Sequence, residues 1–299
     1  MADYLITTVC SGDGFQYFVP PFIYCARQAY PEADVKIYIK GRILPRVRDA
    51  LKLLDPQGWE IIENAFEAYP TTGYICNILR LFIPRHTIKK YKYTYVTDVD
   101  FLMFRQNPTH WEYYAKIMKA NGQPYAAFRS AIRRPRRLHI APTGWRGIHT
   151  RIVCGTLMLH SKAWAKVTKQ AIYEYRYRFK RGAPDGTDRH RPGSYREQDE
   201  VVLYRIVNRC GLPTPRRKWH FTGGNRFNNK YRDVHVGDFK FVRRSRSKRK
   251  LRPLLSYSNI KNFKRLEKDP KWQEIIKIAC EEHGIRESMR RLRRWVRGR

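Results

Sequence analysis

The first forty residues alternate between two hydrophobic periods, and that alternation restricts the fold more than any other feature of the chain. Tyr4-Leu5-Ile6-Thr7-Thr8-Val9 is a strand-like run, residues 11 to 14 form a turn, residues 17 to 30 have the length of a helix, and Val35-Lys36-Ile37-Tyr38-Ile39 is a second strand. Strand, helix and strand in that order make a βαβ unit, whose crossover helix allows the two strands to pair in parallel. The pattern goes on with a helix over 44 to 54, a short strand at 59 to 62, and a buried helix over 76 to 84 containing Ile78, Leu79, Leu81, Phe82 and Ile83. The strand Tyr93-Thr94-Tyr95-Val96-Thr97 follows. Such a chain is expected to be α/β with a mostly parallel sheet, and its ligands are expected at the carboxyl ends of the strands.

Downstream, helices are predicted over 108 to 120, 162 to 179 and 199 to 209, with strands at 125 to 128 and 152 to 159. Residues 129 to 151 and 182 to 193 have the composition of loops, and long loops in compact domains are usually functional. Near the C-terminal end, 271 to 282 places Trp272, Ile275, Ile276 and Ala279 on one helical face. Ile285, Met289, Leu292, Trp295 and Val296 repeat at helical spacing while arginines fill the opposite face.

The sixth strand-like segment ends in Asp98-Val99-Asp100. Two carboxylates one residue apart, where a chain leaves a sheet, offer hard oxygen ligands to Mn²⁺ or Mg²⁺. Such a cation would bridge the protein to a diphosphate and neutralise a leaving group.

Charge narrows the partner. The 61 Lys and Arg against 26 Asp and Glu give a net charge of +35, well beyond what solubility requires, and the excess is clustered. Residues 129 to 151 hold seven arginines and no acid, 240 to 252 hold eight basic residues and no acid, and 286 to 299 hold seven arginines against Glu287. A polyanionic partner is expected, with no obligate protein partner. The six cysteines are far apart, without metal-ligand spacing, which indicates neither a disulfide framework nor a zinc site and points to a reducing, cytoplasmic setting. No window approaches the ~20 apolar residues of a membrane span, and the N-terminus does not read as a signal peptide.

Tyr95-Val96-Thr97-Asp98-Val99-Asp100 resembles the YLDxD strand end of the GT-A glycosyltransferases, particularly the retaining families that use a nucleotide sugar, with Thr at one small position. Asn77-Ile78-Leu79-Arg80-Leu81-Phe82-Ile83-Pro84 resembles the helix of those families that carries a basic residue toward the donor, which assigns that role to Arg80. The first strand, with Thr7, Thr8, Val9 and the following Tyr17, is placed like the segment that cups the nucleotide. The run from Cys154 to Trp164 is similar to NSGxxxxNxxxW, in which Gly155 would let the donor sugar approach the backbone; the Asn and Ser of the pattern are absent. Tyr195-Arg196-Glu197-Gln198-Asp199-Glu200 resembles the acidic helix start that faces the sugar's reacting carbon, making Asp199 and Glu200 the catalytic candidates.

A third metal ligand in those families is a histidine in a pattern like HFxGxxK. His235-Val236-Gly237, followed by Lys240, is preferred for it, and His220-Phe221-Thr222-Gly223, followed by Arg226, is its rival. The resemblance thus implies a three-layer, Rossmann-like GT-A fold over residues 1 to 245, a basic and mainly helical extension over 246 to 299 packed on it, and Mn²⁺ or Mg²⁺ held by Asp98, Asp100 and His235. A UDP-sugar is the expected donor, met also by Lys240, and transfer would retain configuration.

The acceptor is open between two readings. Arg129, Arg133, Arg134, Arg136 and Arg137 would contact the phosphates of DNA or RNA, with Trp145 stacking on an exposed base, and this reading is preferred. Alternatively the enzyme builds lipopolysaccharide or a related glycan at a membrane surface, with the basic amphipathic helix of 285 to 296 lying on anionic lipid. A reading of another class is a nucleic-acid-binding protein, nucleotidyltransferase or nuclease that uses Asp98 and Asp100.

Overall fold

A computed structural model describes residues 2–70, 77–127, 130–132, 151–153, 157–180, 199–212, 234–236 and 257–297. The strands are β1 Tyr4–Ser11, β2 Ala33–Lys40, β3 Trp59–Ile62, β4 Tyr93–Val96, β5 Phe101–Leu102, β6 Tyr125–Ala127, β7 Ser130–Ile132, β8 Arg151–Val153, β9 Leu157–His160 and β10 Val234–His235. The α-helices, renumbered in chain order, are α1 Asp13–Gln16, α2 Val19–Ala29, α3 Pro45–Lys52, α4 Arg85–Ile88, α5 His110–Ala120, α6 Ser161–Val167, α7 Lys169–Lys180, α8 Asp199–Arg209, α9 Tyr257–Leu266, α10 Pro270–Ala279 and α11 His283–Arg297.

Six strands make the central sheet in the order β3-β2-β1-β4-β9-β6. β1 to β4 are parallel, whereas β9 is antiparallel to both its neighbours, so the expected mixed, mostly parallel sheet is found. β1 lies in the middle and its Leu5, Ile6, Thr7 and Thr8 are fully buried. A strand covered on both faces reads as a continuous apolar run, which is how Leu5 to Val9 looks in the sequence.

Helices cover both faces of the sheet. One core contains Phe22 and Ile23 of α2, Val47 of α3, Trp111 and Tyr114 of α5, and Trp272, Ile275, Ile285, Met289, Leu292 and Val296 from α10 and α11. The other contains Ile78, Leu81 and Phe82 ahead of α4, Trp164 of α6, Tyr175 and Phe179 of α7, and Leu203 and Ile206 of α8. Each helix turns its apolar stripe to the sheet, which gives the three layers.

Local signals account for several boundaries. Thr109 caps α5 and Glu112 reaches back to the Thr109 amide at 2.7 Å, a reciprocal capping box. Asp269 caps α10 by accepting from the Trp272 amide at 3.2 Å, and Pro270 occupies the first turn, where its missing N–H costs nothing.

Three sequence expectations need correction. The single strand of 152 to 159 is two strands in different sheets: β8 pairs antiparallel with β7, and β9 joins the central sheet. The loop of 129 to 151 accordingly begins and ends in a two-stranded ladder, Ser130 opposite Val153 and Ile132 opposite Arg151. The helix of 162 to 179 is divided at Thr168, whose hydroxyl donates to the Trp164 carbonyl at 2.7 Å, a back-bond that competes with the helical pattern.

The tail also differs from its free amphipathic reading. In α11 the stripe of Ile285, Met289, Leu292 and Val296 is buried in the main core, and Trp295 packs half-buried against it. That face is used by the protein itself and cannot also lie in lipid while α11 stays docked. Arg286, Arg290, Arg294 and Arg297 remain on the exposed side. The helix α9 was not anticipated; its Asn259 bonds to Gln106 and its Phe263 enters the core.

Candidate functional site

Because β1 to β4 are parallel, their carboxyl ends fall on one edge, and the aspartate segment leaves the sheet there. The Thr97 amide donates to the Thr7 carbonyl at 3.1 Å, extending the β1–β4 ladder by one step before the chain departs. Val99 is then buried as an anchor between the two aspartates. With alternate residues pointing to opposite sides, Asp98 and Asp100 are placed together on the side away from Val99.

The two carboxylates differ in surroundings. Asp98 is 38% exposed and forms an ion pair with Arg80, whose side chain is only 9% exposed. Asp100 is buried to 8% exposure. Arg80 begins the 3₁₀ turn Arg80–Phe82, between buried Leu79 and Leu81, so the turn holds its guanidinium against the sheet edge. Burying a guanidinium requires an anion, and Asp98 supplies one.

After Asp100 the chain enters β5, and β10 runs antiparallel to it with His235 opposite Phe101 and Val234 opposite Leu102. The Val236 amide donates to the Asp100 carbonyl at 2.9 Å. Backbone pairing therefore brings His235 beside the aspartate segment from a point far along the chain. Two carboxylates with an imidazole form an oxygen-and-nitrogen donor set that suits Mn²⁺. No cluster of three His, Cys, Asp or Glu side chains is found among the described residues, which exclude the His235 side chain.

The nucleotide-side candidates are less uniform. Thr7 and Thr8 are 0% exposed, and their hydroxyls and that of Thr97 have no hydrogen-bond partner among the described residues. Their side chains are therefore inside the sheet, and of the three predicted β1 residues only Val9 is half-open, as is Tyr17 after α1. Gln16 ties the loops at this edge: its amide donates to the Arg42 carbonyl at 3.0 Å and accepts from the Leu44 amide at 2.9 Å. Sequence reasoning missed Gln16, because a glutamine in a four-residue helix carries no pattern.

Asp199 and Glu200 open α8, which packs against β8; their side chains lie outside the described residues. So do Gly155, Lys240, the rival His220, and the acceptor candidates Arg129, Arg133, Arg134, Arg136, Arg137 and Trp145. The structure brings together Arg80, Asp98, Asp100 and the backbone of His235, with Thr7 next to them through the β1–β4 ladder.

No protein-family model matches the chain, and no curated protein matches it. Among solved structures it is similar to a galactosyltransferase, LgtC, in complex with donor and acceptor sugar analogs, with a TM-score of 0.37, 14% identity and coverage of 67% of this chain and 69% of that one. An active-site mutant of LgtC is similar to the same degree, with a TM-score of 0.37, 15% identity and coverage of 67% and 68%.

Proposed function

We propose that the chain is a metal-dependent glycosyltransferase that moves a sugar from a nucleotide-sugar donor, with retention, to an anionic glycan acceptor. The observation that carries the reading is the pairing of β5 with β10. It sets His235 against the Asp98-Val99-Asp100 segment at the carboxyl edge of the sheet, where an α/β fold of this kind binds ligands.

In this reading Asp98, Asp100 and His235 hold Mn²⁺ or Mg²⁺, which when bound neutralises charge on the departing nucleoside diphosphate. Arg80 and Lys240 supply further positive charge to the diphosphate, and UDP is the expected nucleotide. Val9 and Tyr17 offer the half-open surface for base and ribose, while Thr7 and Thr8 act through their backbone. Asp199 or Glu200 at the start of α8 stabilises the positive charge that develops on the sugar ring.

The acceptor reading moves from nucleic acid to glycan on one observation. The exposed face of α11 carries Arg286, Arg290, Arg294 and Arg297, while its aromatic residue, Trp295, is turned half-buried against the core. Recognition of single-stranded nucleic acid combines positive charge with aromatic platforms. An all-arginine face offers charge alone, which suits phosphate- or carboxylate-bearing glycans presented on an anionic surface. Membrane association, in this reading, is electrostatic and not by insertion. Among the described residues no helix is long and apolar enough to cross a membrane.

The test is turnover of UDP- and GDP-sugars with Mn²⁺, using an anionic glycolipid and an oligonucleotide as competing acceptors. Transfer to the glycolipid that is lost in chelator and in Asp100→Asn supports the reading. Transfer to the oligonucleotide restores the nucleic-acid acceptor. Cleavage of the oligonucleotide without turnover of any sugar donor defeats the transferase reading.

A further inference from the structure

We infer that Arg80 is a resident counter-cation of the aspartate pair, so that divalent cation and nucleotide diphosphate bind as a mutually dependent pair; this rests on the metal and donor reading above. The observation is the ion pair between Arg80 and Asp98, one of the two carboxylates assigned to the metal. An incoming cation and the guanidinium therefore compete for the same oxygen atoms.

The competition cannot be relieved by Arg80 moving into water. Its backbone is held in a 3₁₀ turn whose other residues, Leu81 and Phe82, are buried, and Ile78, Leu79 and Ile83 on either side are buried as well. The side chain is 9% exposed. A cation that takes Asp98 thus costs a buried guanidinium its carboxylate, and charges in such a place are expensive to leave uncompensated. A diphosphate arriving alone meets two carboxylates, one of them already neutralised by Arg80, and adds negative charge to negative.

With both ligands present the charges alternate. The cation sits between carboxylates and phosphate, and the guanidinium, released from Asp98, faces the phosphate. Each ligand removes the penalty incurred by the other, and the coupling is equal in both directions. Asp98 is the point of exchange because it is the more open carboxylate, at 38% exposure, whereas Asp100 is buried and tied by its carbonyl to β10. Arg80 acts here through Asp98 and is a positioning residue.

The experiment measures Mn²⁺ binding to the intact, chelator-treated chain by the loss of the free Mn²⁺ electron paramagnetic resonance signal, with and without UDP and, in parallel, GDP. In the wild type, the nucleotide should tighten Mn²⁺ binding by about tenfold or more, the usual scale of coupling between two ligands. Arg80→Met should bind Mn²⁺ alone more tightly than the wild type by a similar factor, and the nucleotide should then add little. Equal Mn²⁺ affinity and equal nucleotide coupling in Arg80→Met and wild type would overturn the inference while leaving the metal site intact. No Mn²⁺ binding by either protein under any condition overturns the metal reading, and the inference with it. Should Arg80→Met fail to fold by circular dichroism, Arg80→Lys decides: a changed coupling upholds the inference and an unchanged one sinks it.

Discussion

Replacing Leu292 with alanine separates two roles for the C-terminal helix α11. Leu292 is 0% exposed and belongs to the core shared with α2, α3 and the central sheet. Truncation removes three carbon atoms' worth of apolar contact and leaves a cavity in a packed interior, and such changes cost about 3 kcal/mol. In a chain of this size the same loss lowers the melting temperature by roughly 6 °C or slightly more. Urea unfolding followed by circular dichroism reads the free energy directly, and a melt reads the temperature. The control is Arg294→Gln, an exposed residue on the opposite face, which should change stability by no more than about 0.5 kcal/mol. Flotation with anionic vesicles should respond in the opposite sense: Arg294→Gln weakens binding, and Leu292→Ala leaves it nearly unchanged under conditions where the protein is folded. Unaltered stability of Leu292→Ala, together with loss of vesicle binding, would refute the docked helix and return α11 to the role of a lipid-facing anchor.

Three further outcomes are expected. Asp98→Asn and Asp100→Asn should each reduce transfer by at least about a hundredfold while the urea midpoint stays near that of the wild type, since each removes one charged metal ligand at the sheet edge; near-normal turnover in either variant would remove that carboxylate from the site. Changing Arg286, Arg290 and Arg294 together to glutamine should cost roughly 1 kcal/mol of anionic-surface binding per arginine and flatten its salt dependence, as read by vesicle co-sedimentation at two ionic strengths.

The third concerns pH. Burial works to raise the carboxyl pKa of Asp269, but hydrogen bonds from the Tyr24 hydroxyl and the Trp272 and Lys271 amides hold it below its ordinary value. A depressed carboxylate pKa adds stability above the unfolded value, ~3.9, and that stability is lost as pH falls through the folded value. The unfolding midpoint of the wild type should therefore drop more steeply below about pH 4 than that of Asp269→Asn, and parallel curves would rule the linkage out.

Much of the sheet could be read from the residues because its signals are local. The apolar run of β1, the period change into α2 and the spacing to β2 each lie within a few residues, and the parallel order follows from the crossover. The division of 152 to 159 was not readable. Ile152, Val153, Leu157, Met158 and Leu159 look like one apolar strand, and only pairing with β7 on one side and β4 on the other separates them. The aspartates were legible at the site, and Arg80 carried a usable signal: an arginine inside Ile78 to Ile83 has to be buried and needs an anion nearby. That the anion is Asp98 is a tertiary fact. The nearness of His235 to Asp100 is likewise set by a two-residue ladder, too short to leave a pattern. The burial of α11 was missed because an amphipathic stripe looks the same whether it faces lipid or a protein core.

The position of α10 and α11 also governs when this protein can become itself. Phe22 and Ile23 of α2 and Val47 of α3 belong to a core that is completed by Trp272, Ile275, Leu292 and Val296. On the ribosome, the sheet's first strands emerge more than two hundred residues before the helices that cover this face. At ordinary elongation rates that interval is roughly 10 to 50 seconds, during which the nascent chain presents an uncovered apolar face. Synthesis of this protein should thus depend on a holding chaperone for most of its duration, and a ribosome stalled before residue 270 should leave an aggregating fragment in place of a smaller enzyme.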